Sequence, residues 1–463
     1  MNRPNILLFL TDDHAGWSMH CAGNRELVTP NLDYLADTGV RFTNAYTPSP
    51  VCSPARASLW TGTYPSWHGV HDHLNDAGHP GIGSRPTLAD ALSRSGYLTA
   101  QIGKWHCHTS EDNRKRSGFD YWFSHYAGTR SRFGEQPFWE DDQRVDYHGY
   151  QAPVFTEKTL EFLGRAAAAD RPFFCTVGYT DTHRPFKDAP PRILERYRHA
   201  SFDDVPDETL PKCHGKLIMR LRKSEEDGLR RLRQYYAAVT MIDEQVGRIL
   251  DRLVSLGLDD ETLVIYTADH GQCVGHHELE CKGNSTLPQS FFDESLGVPL
   301  IARWPGRFAA GTTSDAFVNH TDTYATLLEV AGSRSLDEAP RPGSSWISVA
   351  RGAEAPQRDS IICEYGNARM IRTPEYKLVR RYPGPNGRFP DELYDRTADP
   401  RETQNIIGDP GVQSVLPRLD AELAAFFARY GRPESDGERV GELPLHNDKE
   451  PWRIDASFTD SAP

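Results

Sequence analysis

Between Ile6 and Ala331, short apolar runs alternate with helix-patterned segments, and that alternation leaves few folds open. Ile6–Leu10, Leu98–Ile102, Phe173–Tyr179 and Thr262–Thr267 are brief and largely apolar, as strands buried on both faces of a parallel sheet are. Pro299–Arg303 is a further candidate strand. Between them lie helix signatures. Thr29-Pro30 opens one helix and Gly39 closes it; Pro86 to Gly96 repeats the design. Phe155 to Ala169 and Thr321 to Ala331 are also helical. The longest helix runs from Asp227 to Leu256, with Leu232, Tyr236, Val239, Ile242, Val246, Ile249 and Leu253 at three- and four-residue spacing. The expected fold is α/β: a mostly parallel central sheet flanked by helices on both faces.

After Gly352 the character changes. Ile361–Glu364, Ala368–Arg372 and Lys377–Arg381 read as short strands between turns, followed by an amphipathic helix from Val412 to Tyr430. The expected organisation is a catalytic α/β domain over 1–352, a smaller antiparallel sheet with one helix over 353–432, and an irregular polar tail over 433–463.

Charge and cysteine usage narrow the function. A net charge of −13 with no Lys/Arg block excludes sequence-independent nucleic-acid binding. No stretch approaches the roughly 20 apolar residues of a membrane-spanning helix. Ile6–Leu10 is too short for a secretory core and runs at once into Asp12-Asp13. The eight cysteines show no close paired spacing of the zinc-site kind, and a chain of 463 residues has core enough without disulfides. Cytoplasmic localisation is the expectation, or periplasmic or secreted if a leader has been removed. A homo-oligomer is possible, the polar tail being long enough to reach a neighbouring subunit.

Open α/β sheets bind ligands outside the carboxyl ends of their strands, and here those ends carry chemistry. The first delivers Asp12-Asp13-His14, the second Lys104 and His106, the third Asp181 and His183, the fourth Asp269-His270. Asp12, Asp13, Asp269 and His270 cannot converge without a cation. A hard divalent ion fits, Ca²⁺ first and Mg²⁺ or Mn²⁺ behind. Cys52 lies in Cys52-Ser53-Pro54-Ala55-Arg56, at or just before the N-cap of a helix from Pro54 to Thr61 that Gly62 ends. A helix N-terminus with Arg56 one turn on suits a tetrahedral anion. Lys104, His106, His183 and Lys282 form a cationic set able to bind that anion and protonate a leaving oxygen. His68, His71 and His73 match no defensible ligand spacing and are read as supports behind the site or as structural. From the residues alone, a buried structural cysteine at a helix start and a non-catalytic anion- or metal-binding protein both stay open.

In order along the chain, these residues resemble the type I sulfatases of the alkaline-phosphatase superfamily. The motifs are Asp-Asp after the first strand, C-x-P-x-R with A-S-L-x-T-G at Ala57 to Gly62, and Gly-Lys-Trp-His at 103 to 106. Thr-His-x-Pro-Phe at 182 to 186, Ala-Asp-His-Gly at 268 to 271, Glu294 to Ile301 and Arg303-Trp304-Pro305-Gly306 follow. Glu392-Leu393-Tyr394-Asp395 with Asp399-Pro400 and Asn405 resembles the closing motif. The resemblance implies that Cys52 is oxidised to formylglycine by a formylglycine-generating or anaerobic sulfatase-maturing enzyme. It implies Ca²⁺ held by Asp12, Asp13, Asp269, His270 and the aldehyde's geminal diol at position 52. Many members have Asn where this chain has His270, and a subset has His.

The implied reaction is hydrolysis of a sulfate monoester. One diol hydroxyl attacks sulfur, and the second expels sulfate by elimination. Arg56 and Lys104 spread charge on the sulfate oxygens, His183 with Lys282 protonates the departing alcohol, and His106 takes the proton of the second hydroxyl. The alternative is a phosphonate or phosphate mono- or diesterase using the same nucleophile. Substrate class is open among carbohydrate, aryl and choline sulfates. The segment from Tyr121 to Tyr150, with Trp122, Tyr126, Arg130, Arg132, Phe133, Trp139, Asp141 and Asp142, is expected to be an insertion shaping the pocket.

Overall fold

The computed structural model describes residues 3–454 except 76–77, 110–113, 126–131, 187, 207–210, 212–215, 218, 354–357 and 385–386. Its central sheet has ten strands. In chain order they are β1 (Asn5–Thr11), β2 (Val40–Phe42), β3 (Leu98–Gly103), β4 (Tyr121–His125), β5 (Phe133–Glu140), β6 (Gln143–Tyr150), β7 (Phe173–Gly178), β8 (Thr262–Ala268), β9 (Leu300–Arg303) and β10 (Thr312–Ser314). Across the sheet the order is β10-β2-β9-β8-β1-β7-β3-β4-β5-β6. The stretch β8-β1-β7-β3-β4 is parallel throughout. Strand β9 is antiparallel to both its neighbours, and the pair β5–β6 is antiparallel as well.

Strand periodicity sorts the core into two layers. Leu7 and Phe9 face the side covered by α1 (Pro30–Asp37), α4 (Gln151–Ala167) and α5 (Glu226–Ser255). Ile6, Leu8 and Leu10 face the side covered by α2 (Cys52–Thr61), α3 (Leu88–Arg94) and α6 (His320–Ala331). Register then sets the site. Thr11 pairs with Ala268, and Gly103 with Gly178, so the residues that follow leave the sheet along one edge. Gly103 is obligatory there: its φ is +99°, and a Cβ would meet the Gly178 carbonyl oxygen at 2.2 Å.

The smaller sheet is a meander of β11 (Ile361–Tyr365), β12 (Ala368–Arg372), β13 (Tyr376–Arg381) and β14 (Glu392–Asp395). Helix α7 (Leu416–Tyr430) packs Leu419, Leu423 and Phe427 against Ile362, Ile371, Leu378 and Leu393. Beyond it the chain forms three short 3₁₀ turns ending at Arg453, and it buries His446, Asn447 and Trp452.

Three expectations change. The segment from Tyr121 to Tyr150, expected as an insertion, is largely strand: β5 and β6 form a hairpin that extends the central sheet at its edge. Trp122 is fully buried against Trp105 and Phe119 and offers no face to a ligand, while Tyr126 and Arg130 lie outside the described residues. Cys52 is not at the N-cap. Val51 takes that place with extended backbone, and Cys52 is the first helical residue.

Candidate active site

All ten residues of α2 are buried, which is unusual for so polar a helix and fixes Cys52 Sγ beneath the edge where β1 and β8 end. Around that sulfur the loops after four strands converge. Lys282 Nζ lies 3.0 Å from Cys52 Sγ and donates to Asp13 Oδ1 at 2.6 Å. His270 Nε2 lies 3.3 Å from the sulfur and 3.0 Å from Asp13 Oδ1. Asp269 Oδ1 accepts from the backbone N–H groups of Asp13 (3.2 Å) and His270 (2.9 Å). Lys104 Nζ donates to Asp12 Oδ2 at 2.7 Å. Arg56, wholly buried, donates from Nε to Asp269 Oδ2 and from Nη1 to the Lys104 carbonyl, each at 2.8 Å. His183, whose side chain is 29% exposed, stands 3.9 Å from Asp13 Oδ2.

Backbone conformation shows what the site demands. Asp13 has φ 55° and His106 φ 58°, left-handed values uncommon for residues with side chains. Supports lie just outside: Thr182 Oγ1 donates to the Asp12 carbonyl, and His320 Nε2 to that of Asp269 at 2.7 Å. Nothing in the sequence singles out His320, which simply opens α6.

The electrostatics follow from burying these charges together. Burial and the Cys52 sulfur push Asp12 up, yet Lys104, His183 and Arg56 hold it well below the carboxylate range. Asp13 is likewise pushed up by burial but brought down by Lys282, His183 and His270. For Asp269 burial wins and raises it to about 6 against His270 and Arg56. Burial would strip the proton from His270, but Asp269 and Asp13 raise its pKa to about 10. Burial raises the Cys52 thiol, and Lys104, Lys282 and His270 more than reverse that, placing it well below its usual range.

Two groups of donor atoms lie within 4.8 Å of one another: Asp12, Asp13, Cys52 and His183, and Asp12, Cys52, Asp269 and His270. Among the described residues, Asp12 Oδ1, Asp13 Oδ2 and Arg56 Nη2 are buried without a hydrogen-bond partner. Two orphaned carboxylate oxygens beside an imidazole suit a hard divalent cation, and an orphaned guanidinium donor suits an oxyanion. Asp181 stands apart from both groups: it lines a small pocket with Arg132, Phe186 and Gln234.

The family model described as Sulfatase matches residues 4–333, most of the chain. The chain belongs to the sulfatase family. A second model, N-sulphoglucosamine sulphohydrolase, C-terminal, matches residues 289–428 of this sulfatase. An ulvan-active sulfatase of Formosa agariphila is 31% identical over 93% of this chain and 82% of its own. The sulfatase YidJ of Escherichia coli K12 is 31% identical over 98% and 92% respectively. A solved structure in complex with its substrate D-glucosamine-2-N,6-O-disulfate superposes with TM-score 0.79 at 25% identity, covering 93% of this chain and 98% of that one. The sulfatase is thus an enzyme of the sulfate ester hydrolase class on the expected α/β architecture.

Proposed function

We propose that this sulfatase cleaves a sulfate monoester of a saccharide, using formylglycine made from Cys52 and a divalent cation held by Asp12, Asp13, Asp269 and His270. The observation that carries the reading is the convergence of those four side chains, with Lys282 and Arg56, around the Cys52 sulfur. When in place, the hydrated aldehyde supplies a hydroxyl to attack sulfur and a second through which sulfate is released, and the cation acidifies the first. Ca²⁺ suits the oxygen donors best, with Mg²⁺ or Mn²⁺ as alternatives beside the nitrogen of His270.

The remaining roles rest on this chain's own atoms. The buried Arg56 Nη2 and the ammonium groups of Lys104 and Lys282 face the developing charge on the sulfate oxygens. His106 Nε2 lies 3.0 Å from the Leu74 carbonyl, so that nitrogen carries the hydrogen and Nδ1 keeps its lone pair. Burial and Lys104 lower its pKa, favouring the neutral ring, and its buried Nδ1 has no hydrogen-bond partner among the described residues, which suits it to take the second hydroxyl's proton. His183 donates from Nδ1 to the Arg184 carbonyl and is part-exposed, so that in its imidazolium form it delivers the Nε2 proton to the departing alcohol.

Saccharide esters are favoured by the relatives: an ulvan-active sulfatase, an N-acetylglucosamine-6-O-sulfatase of Bacteroides thetaiotaomicron and the disulfated glucosamine complex. Maturation requires a formylglycine-generating or anaerobic sulfatase-maturing enzyme. The test pairs mass spectrometry of the Cys52 peptide with rates on glucosamine 6-sulfate, 4-nitrophenyl sulfate and 4-nitrophenyl phosphate. Conversion at Cys52 with faster sulfate than phosphate turnover is expected. A thiol at position 52 in active protein, or faster phosphate turnover, overturns the reading.

A further inference from the structure

His73, whose spacing matches no ligand set, stands at the rim of the site. Its neighbour Leu74 donates its N–H to Ser53 Oγ at 3.0 Å, next to Cys52, and Leu74's carbonyl binds His106 Nε2. The segment carrying His73 is thereby pinned between two residues of the reaction centre. The imidazole is set with equal care. Asp72 is buried, and its Oδ1 accepts from both the N–H (2.7 Å) and Nδ1 (3.1 Å) of His73. The same oxygen accepts from Tyr365 of β11 at 3.1 Å. Asn447, from the segment after α7, donates to the His73 carbonyl at 2.9 Å.

The neighbouring Asp72 and two distant parts of the chain therefore hold one side chain that is 33% exposed. Its Nε2 has no hydrogen-bond partner among the described residues. A surface imidazole with no task would not be held by a buried carboxylate, a tyrosine and an asparagine, each of which gives up freedom to do so. Burial disfavours the charged ring, but the Asp72 carboxylate, which accepts from Nδ1, favours it and raises the pKa.

Resting on the function proposed above, we propose that His73 binds substrate, donating from Nε2 to a second anionic group, carboxylate or sulfate, on the sugar that carries the scissile ester. Asp72 and Asn447 are positioning residues acting through it. A hydrogen-bond donor held in this way at the rim favours an acidic saccharide over a quaternary ammonium alcohol such as choline.

The test compares wild type, His73→Gln, Asp72→Asn and Asn447→Ala on D-glucosamine-2-N,6-O-disulfate, glucosamine 6-sulfate and 4-nitrophenyl sulfate. A lost charge-assisted hydrogen bond is worth about 10- to 100-fold. His73→Gln is expected to raise KM for the disulfate by that factor with kcat held, while the other two substrates change by less than about threefold. Asp72→Asn and Asn447→Ala should follow in the same substrate order with smaller effects. Equal losses on all three substrates, or none on the disulfate, overturn the proposal. If no ester is turned over, the functional reading fails but the binding claim is still decided by calorimetry of the disulfate with Cys52→Ala protein. Affinity weakened about tenfold or more by adding His73→Gln supports it; unchanged affinity, or no binding in either protein, overturns it.

Discussion

Replacing Arg56 with Met tests the charge balance beneath the site without relying on turnover. Both Arg56 and Asp269 side chains are wholly buried, and the substitution removes two hydrogen bonds of 2.8 Å each. Met keeps most of the aliphatic volume, so packing contributes little. Breaking a buried pair by removing one partner costs about 3–5 kcal/mol. The cost is bounded because Asp269 has another option. Its pKa, already raised to about 6 with Arg56 present, climbs further without it, and the carboxyl takes a proton. For an acid whose folded pKa is raised, stability falls as pH climbs from the unfolded value, 3.8, to the folded one. In wild type that window closes at about pH 6; in Arg56→Met it extends beyond 7. The variant should therefore be destabilised by about 3–5 kcal/mol at pH 7, and by about 1.4 kcal/mol less at pH 6. Urea unfolding followed by circular dichroism, in EDTA so that no cation compensates, measures both values. A penalty below about 1 kcal/mol, or an equal penalty at the two pH values, refutes the argument.

Three further outcomes are expected. Exhaustive chelation should abolish turnover and lower the thermal midpoint, with Ca²⁺ restoring both, and Asp13→Asn should no longer respond to added cation; turnover that survives chelation contradicts the proposed site. His183→Ala should cost about 10²–10⁴ in kcat on a sugar sulfate but under about tenfold on 4-nitrophenyl sulfate, whose leaving group needs no proton; equal losses would remove its role as acid. Burial and His446 lower the pKa of His71 to about 3 and of His79 to about 4, so below 6.5 the unfolded state gains protons that the folded state refuses. Stability should hold above pH 6.5 and fall toward pH 4 by roughly 1.4 kcal/mol per unit for each histidine, and His71→Gln should flatten that slope in thermal melts across pH.

The parallel strands were legible because burial on both faces leaves an uninterrupted apolar run, as in Ile6–Leu10, and because Asp12, Lys104, His183 and Asp269 follow such runs. The hairpin of β5 and β6 was not. Its residues are mostly part-exposed, with Gly134 and Pro137 in one strand, so it lacks the contrast between buried and solvent faces that reveals a strand. Lys282 lies beside a loop rich in Gly, Asn, Ser and Pro that marks no strand end; only the fold brings its ammonium to Cys52 and Asp13. His73 was hidden for a related reason. Asn447, which bonds it, and Tyr365, which bonds its neighbour Asp72, lie hundreds of positions away, and no local pattern records such a pairing.

The burial of α2 also sets an order of events. Cys52 is 2% exposed, and Ser435, His446 and Asn447 seal the loop behind it through bonds to His71 and His73. Any enzyme that edits position 52 must reach it before Ser435, His446 and Asn447 dock on that loop. Docking of that segment is in effect the clock that ends the chance of maturation.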